Sequence, residues 1–154
     1  MPLRDKEWER AIEKHLLAEG WDVWRALQVK VKRGPMWLNL RADLWGCIDI
    51  AAMHPERSFL FVQATTSKGV NERRRKIETH KWPVKRAKVT FLRVVVSPDY
   101  VDGLDQRYRV EIWEARAQRS MADSRKWEYG ARIHQYHPLT KDWTVAPDIV
   151  PIAK

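Results

Sequence analysis

A single cysteine, Cys47, stands in this chain of 154 residues, which excludes an internal disulfide. Set in an apolar run, the thiol reads as a buried, inert group rather than a nucleophile, and a reducing cytosol suits it. No apolar run approaches the roughly 20 residues that a membrane helix needs, and Met1-Pro2-Leu3-Arg4-Asp5 does not begin a signal peptide. The expectation is a cytoplasmic protein with no membrane partner. Internal repeats and low-complexity segments are also missing. Acidic residues are scarce: 20 Asp and Glu face 29 Lys and Arg, a net charge of +9, and such a balance favours a polyanion, most simply nucleic acid, as partner.

What is present supports a packed core. The length is that of one domain, here 1–154, and 44% of the residues are hydrophobic, enough for a chain of this size to bury about two-thirds of its unfolded surface. The basic excess is concentrated. Between Lys68 and Lys88 nine basic residues meet only Glu72 and Glu78, so this segment supplies most of the surplus. Nine Trp are scattered along the chain; most read as core or rim packing and a minority as stacking platforms for bases.

Hydrophobic spacing predicts an amphipathic helix over Asp5 to Glu19, stopped by Gly20, with Glu9 at the edge of its buried stripe. Trp21 to Val31 reads as a strand. Lys32-Arg33-Gly34-Pro35-Met36 reads as a basic loop or hairpin tip, since Pro35 excludes a central strand; Lys32, Arg33 and Arg41 would touch phosphate there. Two buried strands follow, around Ile48 to Ala52 and from Phe59 to Val62, joined by a turn at His54 to Ser58. After a break at Ser67-Lys68-Gly69, Val70 to His80 reads as a helix anchored by Ile77. Arg73 or Arg74 is expected to lean toward the end of the second strand, while Arg75 and Lys76 face solvent. Lys88 to Val96 is expected to be a third core strand. YRVEIWEA and ARIHQYH alternate like half-exposed strands and would pair across a long connection from Arg116 to Tyr129. His134 and His137, three apart, fall on opposite faces of a strand, which disfavours a metal pair.

Each of the two buried strands carries one polar residue out of place. Asp49 sits among Ile48, Ile50, Ala51 and Ala52, and Gln63 follows Phe59 to Val62. Burying a carboxylate among such neighbours costs several kcal/mol, on the order of the price of any unpaired buried polar group, unless a cation, metal or donor meets it. An Asp and a Gln at adjoining strand ends point to an oxygen-ligand site of the kind magnesium favours, completed by water and substrate phosphate. Gln63 and Thr65, two apart, share one strand face. Asp43 is a second carboxylate, expected to end the preceding loop and pair with Arg41 or another cation.

The order of helix, strands and basic helix, marked by Glu9, Asp49, Gln63 with Thr65, and Arg73 to Lys76, resembles the PD-(D/E)XK nuclease superfamily. Within it, WERAIEKHLLAEGWDVWR is similar to the start of archaeal-type Holliday junction resolvases, and RADLWGCID and FVQATT are similar to phage-borne relatives. The likeness covers roughly residues 5–96, with 105–154 left as a β-rich extension. It implies an α/β, restriction-endonuclease-like fold, a mixed central sheet flanked by helices. It also implies a magnesium-dependent (or manganese-dependent) DNA endonuclease acting on branched DNA as a homodimer, in a prokaryotic cell or phage-infected host. Carried over by position, Glu9, Asp49 and Gln63 would be the metal ligands. Thr65 falls where the family has a lysine, and Lys68, Arg73 or Arg74 would supply the missing cation. The likeness further places Glu9, Asp49, Gln63, Thr65 and Lys68 in the catalytic set, and Lys32, Arg33, Arg41 and Arg73 to Lys76 on DNA. Two other readings stay open: a nicking or restriction-like nuclease on linear DNA, and a nuclease-fold DNA-binding protein without catalysis. A structural role in a replication or packaging complex is a third.

Overall fold

Trp8, Ala11, Ile12 and Leu16 recur every three or four residues, and in helix α1 (Asp5–Ala18) they form the buried stripe. Glu7 accepts a hydrogen bond from the Arg4 amide at the helix start (3.0 Å). Gly20, at φ 88°, ends the helix in the left-handed conformation that costs glycine least. These elements come from a computed structural model, which describes residues 4–26, 28–41, 43–57, 59–82, 89–91, 94–96, 101–102, 105–106, 108–138 and 140–152, and of these only the backbone for 28–31, 38–41, 89–91, 94–96, 101–102 and 105–106.

The strands are β1 (Asp22–Arg25), β2 (Gln28–Arg33), β3 (Met36–Arg41), β4 (Ile50–Met53) and β5 (Phe59–Thr65). After a 3-10 turn (Ser67–Gly69) and helix α2 (Val70–Thr79) come β6 (Val89–Phe91), β7 (Val94–Val96), β8 (Val101–Asp102) and β9 (Asp105–Gln106). The last four are β10 (Tyr108–Arg119), β11 (Trp127–His137), β12 (Asp142–Val145) and β13 (Val150–Ile152). Among the described residues, seven of these strands form one sheet in the order β1-β4-β5-β10-β11-β12, with β13 also paired to β11. β5 and β10 run parallel and the other pairs antiparallel, so the protein is α/β with a mixed central sheet.

The period-two alternation of the strands divides the core into two layers. On one face Leu60, Val62 and Ala64 of β5 and Trp113 of β10 pack against α1. On the other, Phe61, Tyr108, Val110 and Ile112 pack against Ile77 of α2 and Trp82. Gln63 and Thr65 lie two and four residues past Phe61 and therefore face the α2 side. Trp82 donates its indole N–H to the Ile77 carbonyl (2.8 Å), sealing the end of α2.

Four expectations change. The apolar run Lys88 to Val96 is not a third core strand: its described parts, β6 and β7, pair with each other in a separate two-stranded sheet. β10 takes the place beside β5, because its twelve residues offer apolar side chains to both faces. For the same reason β10 is buried from Tyr108 to Glu114, with only Arg109 half-buried, rather than alternately exposed. The long connection from Arg116 to Tyr129 contracts to residues 120–126, since pairing runs out to Arg119 and Trp127. Finally, Trp21 to Val31 is two strands: β1 joins the central sheet, and β2 pairs with β3 in a hairpin turning at Gly34 and Pro35. Ser58, Pro83 and residues 97–100 lie outside the described residues.

Candidate functional site

β4 begins where β5 runs out, and that register places Asp49 beside Gln63. Ile50 pairs with Val62, and one residue earlier the Asp49 amide donates to the Val62 carbonyl (3.0 Å). Both side chains are 1% exposed. Asp49 Oδ2 accepts the Ala64 amide (3.0 Å) and the Gln63 side-chain N–H. Gln63 Nε2 also donates to the Ala64 carbonyl (3.2 Å). The carboxylate is thus met by two donors, which answers the desolvation cost that its sequence position raises.

Glu9, 3% exposed, comes from α1 on the opposite face of the sheet from Gln63. Among the described residues no group of three or more His, Cys, Asp or Glu side chains gathers as a metal site; the set assembled here is Asp49 with an amide. Thr65 is buried, donates its hydroxyl to the Thr66 carbonyl (3.1 Å), and sits where a Cβ on Gly69 would collide with its Oγ1. It closes β5 onto the turn that starts α2. Cys47, near Asp43 and Asp49, has its thiol pushed up to about 11 by burial first and then by those two carboxylates, with Lys76 opposing. The inert thiol expected from the sequence is what this environment produces.

The candidate cations separate. Lys68 is exposed in the turn after Thr65, Arg73 is half-buried on α2, and Arg75 and Lys76 are exposed, Lys76 pairing with Glu72 (3.4 Å). Arg74 does not lean toward the end of the Gln63 strand. It reaches across β10, where Nη2 donates to His134 Nδ1 on β11 (2.8 Å) and the guanidinium lies 4.9 Å from the Trp143 ring on β12. Gln63 registers with Ile112, and Ile112 with His134, so two strand spacings, about 10 Å, separate that contact from Gln63. On the hairpin, Lys32 and Arg33 are exposed, with Lys32 Nζ 5.9 Å from the exposed Trp37 ring. The side chain of Arg41 lies outside the described residues.

Sequence reasoning missed the second buried polar group. Glu114, in register with Thr65 on β10, accepts from His134 Nε2 through Oε2 (2.8 Å) and pairs through Oε1 with Arg116 Nη2 (3.0 Å). Arginine is always a donor, so the Arg74 contact makes His134 Nδ1 the acceptor and puts the ring proton on Nε2, facing Glu114. The chain Arg74–His134–Glu114–Arg116 bolts α2 to the sheet across two strands. Part of its signal was present in the sequence, since Glu114 follows Tyr108, Val110 and Ile112 on one strand face. Glu111, on the opposite face of β10, is raised by burial against the lesser, lowering pulls of Arg109 and of the Trp113 indole N–H (2.8 Å). No helix among the described residues is long and apolar enough to cross a membrane. Compared with known protein families, curated proteins and solved structures, the chain matches none.

Proposed function

We propose that the protein is a metal-dependent DNA endonuclease of restriction-endonuclease-like fold, acting on branched DNA as a homodimer. The observation that carries the reading is the Asp49–Gln63 contact: two buried polar side chains from adjoining strand ends, followed directly by Lys68 and the basic helix α2. The donors suit a hard cation, because Asp49 and Glu9 offer carboxylate oxygens and Gln63 an amide oxygen once its amide, now turned nitrogen-first to Asp49, rotates. Magnesium or manganese held there supplies a water of lowered pKa and neutralises charge on the phosphate.

The chain's own residues do the rest. The Ala64 amide fixes the orientation of Asp49. Lys68, in the turn before α2, and Arg73, in its first turn, neutralise phosphate oxygens together with the amides of the helix start. Arg75 and Lys76, with Lys32 and Arg33 on the hairpin, hold flanking phosphates and set register rather than sequence preference.

Incubating the wild type and Asp49→Asn with four-way-junction DNA, in magnesium and in excess chelator, tests this. The wild type should cut only with the metal, and Asp49→Asn should not cut. Undiminished cleavage by the variant, or in chelator, would refute the catalytic assignment. A second reading, a DNA-binding protein of the same fold without catalysis, is favoured by Thr65, whose hydroxyl is spent on Thr66 where a lysine would serve chemistry. Salt-sensitive binding with no cut under any divalent metal would establish it.

A further inference from the structure

Beyond Glu114 the hairpin of β10 and β11 opens a cleft of about 560 Å³ on which the metal-site reading makes no demand. That is within the roughly 300–1,000 Å³ of ligand sites. Its walls combine aromatic and hydrogen-bonding groups: Trp127 and Tyr129 from β11, His15 from α1, Gln118 and Arg116 from β10, and Glu128. Trp127 is 38% exposed, so part of its ring is open at the cleft, and the Arg119 guanidinium lies 4.1 Å from the ring. Tyr129 is buried and forms the floor.

Such a set recognises a flat, polar-edged heterocycle attached to a phosphate. An indole supplies a stacking face for any base. The Gln118 amide and the Glu128 carboxylate offer a donor and acceptors to base edges, and Arg116 in the wall places a cation at the cleft for the adjoining phosphate. The cleft is also in the right place. Gln118 lies six residues past Ile112, the register partner of Gln63, about 20 Å along β10. At about 3.4 Å per nucleotide, a strand held at the candidate metal centre reaches the cleft about six nucleotides away.

We infer that this cleft binds an unpaired nucleobase of the DNA strand, stacked on Trp127. A paired base has its edge occupied and its faces stacked, and cannot enter. The inference rests on the nuclease reading for its substrate, and it restricts that substrate to DNA with unpaired bases, as at flaps and junction centres.

The test is equilibrium binding in excess chelator, which removes cleavage from the measurement. The probes are one labelled duplex, fully paired or carrying a single-stranded tail, offered to the wild type, Trp127→Ala and Trp127→Phe. Wild type should prefer the tailed DNA. Trp127→Ala should weaken tailed binding by about tenfold or more and leave paired binding unchanged, and Trp127→Phe should restore most of the difference. Equal losses on both probes, no loss on either, or no binding of either by the wild type overturns the inference; a melting curve confirms that the variant folds. Trp127-dependent preference in a protein that never cleaves leaves the cleft standing and removes the nuclease reading. Cleavage with no Trp127 dependence does the reverse.

Discussion

Glu114→Ala should destabilise the fold by cutting the polar bridge on the α2 face of the sheet. The carboxylate is 4% exposed and accepts from His134 at 2.8 Å and from Arg116 at 3.0 Å. Removing it leaves the His134 Nε2–H, itself in a side chain 8% exposed, without an acceptor. Losing a buried hydrogen bond to a charged group costs about 1.5–3 kcal/mol. The Arg116 pair adds less than about 1 kcal/mol, because that guanidinium is 37% exposed and screened. The lost Cγ methylene adds about 1 kcal/mol more. The sum is about 2.5–5 kcal/mol, which lowers Tm by roughly 5–20 °C for a chain of this length. Urea unfolding followed by tryptophan fluorescence measures it. Glu114→Gln, which keeps an acceptor for His134, should lose about half as much. A loss below about 1 kcal/mol for Glu114→Ala at unchanged m-value would refute the claim that Glu114 holds the Arg74–His134 bridge in place.

Gly69→Ala should destabilise by about 1–3 kcal/mol through the clash of its Cβ with Thr65 Oγ1. Adding Thr65→Ala removes that atom and should recover most of the loss, a coupling that a double-mutant cycle reads directly. Glu111 provides a pH test. Its folded pKa is raised above the ordinary 4.5, chiefly by burial, so the folded state holds the proton more tightly, and the stability linked to it is full below about 4.5 and declines as pH rises through the folded value. Glu111→Gln keeps an acceptor for the Trp113 indole and carries no charge. Its stability relative to wild type should therefore increase from pH 4 to pH 8 in urea melts; a flat difference would refute the burial assignment.

Local elements were legible wherever the residues themselves set the period. α1 and α2 follow from apolar spacing and end within a residue or so of the expected positions, and Gly34-Pro35 marks the hairpin because neither residue favours a strand interior. Asp49 and Gln63 were legible as misplaced polar residues, and pairing one residue beyond the Ile50–Val62 register brings them together. The partner of β5 was not legible. Lys88 to Val96 has stronger β character than Tyr108 to Arg119, but a central strand must cover both faces over the full length of its neighbour, and two three-residue strands cannot.

By itself, then, the sequence determined the helices, the basic segment, the buried strand β5 and the polar interruptions of its core, because each depends on side chains close together along the chain. Only the tertiary structure decided that β10 lies between β5 and β11, that Arg74 spends its guanidinium on His134 instead of on the end of β5, and that Glu114 stands opposite Thr65. Those pairings join residues tens of positions apart. Their register is set by burying both faces of one sheet at once, a condition that no local pattern encodes.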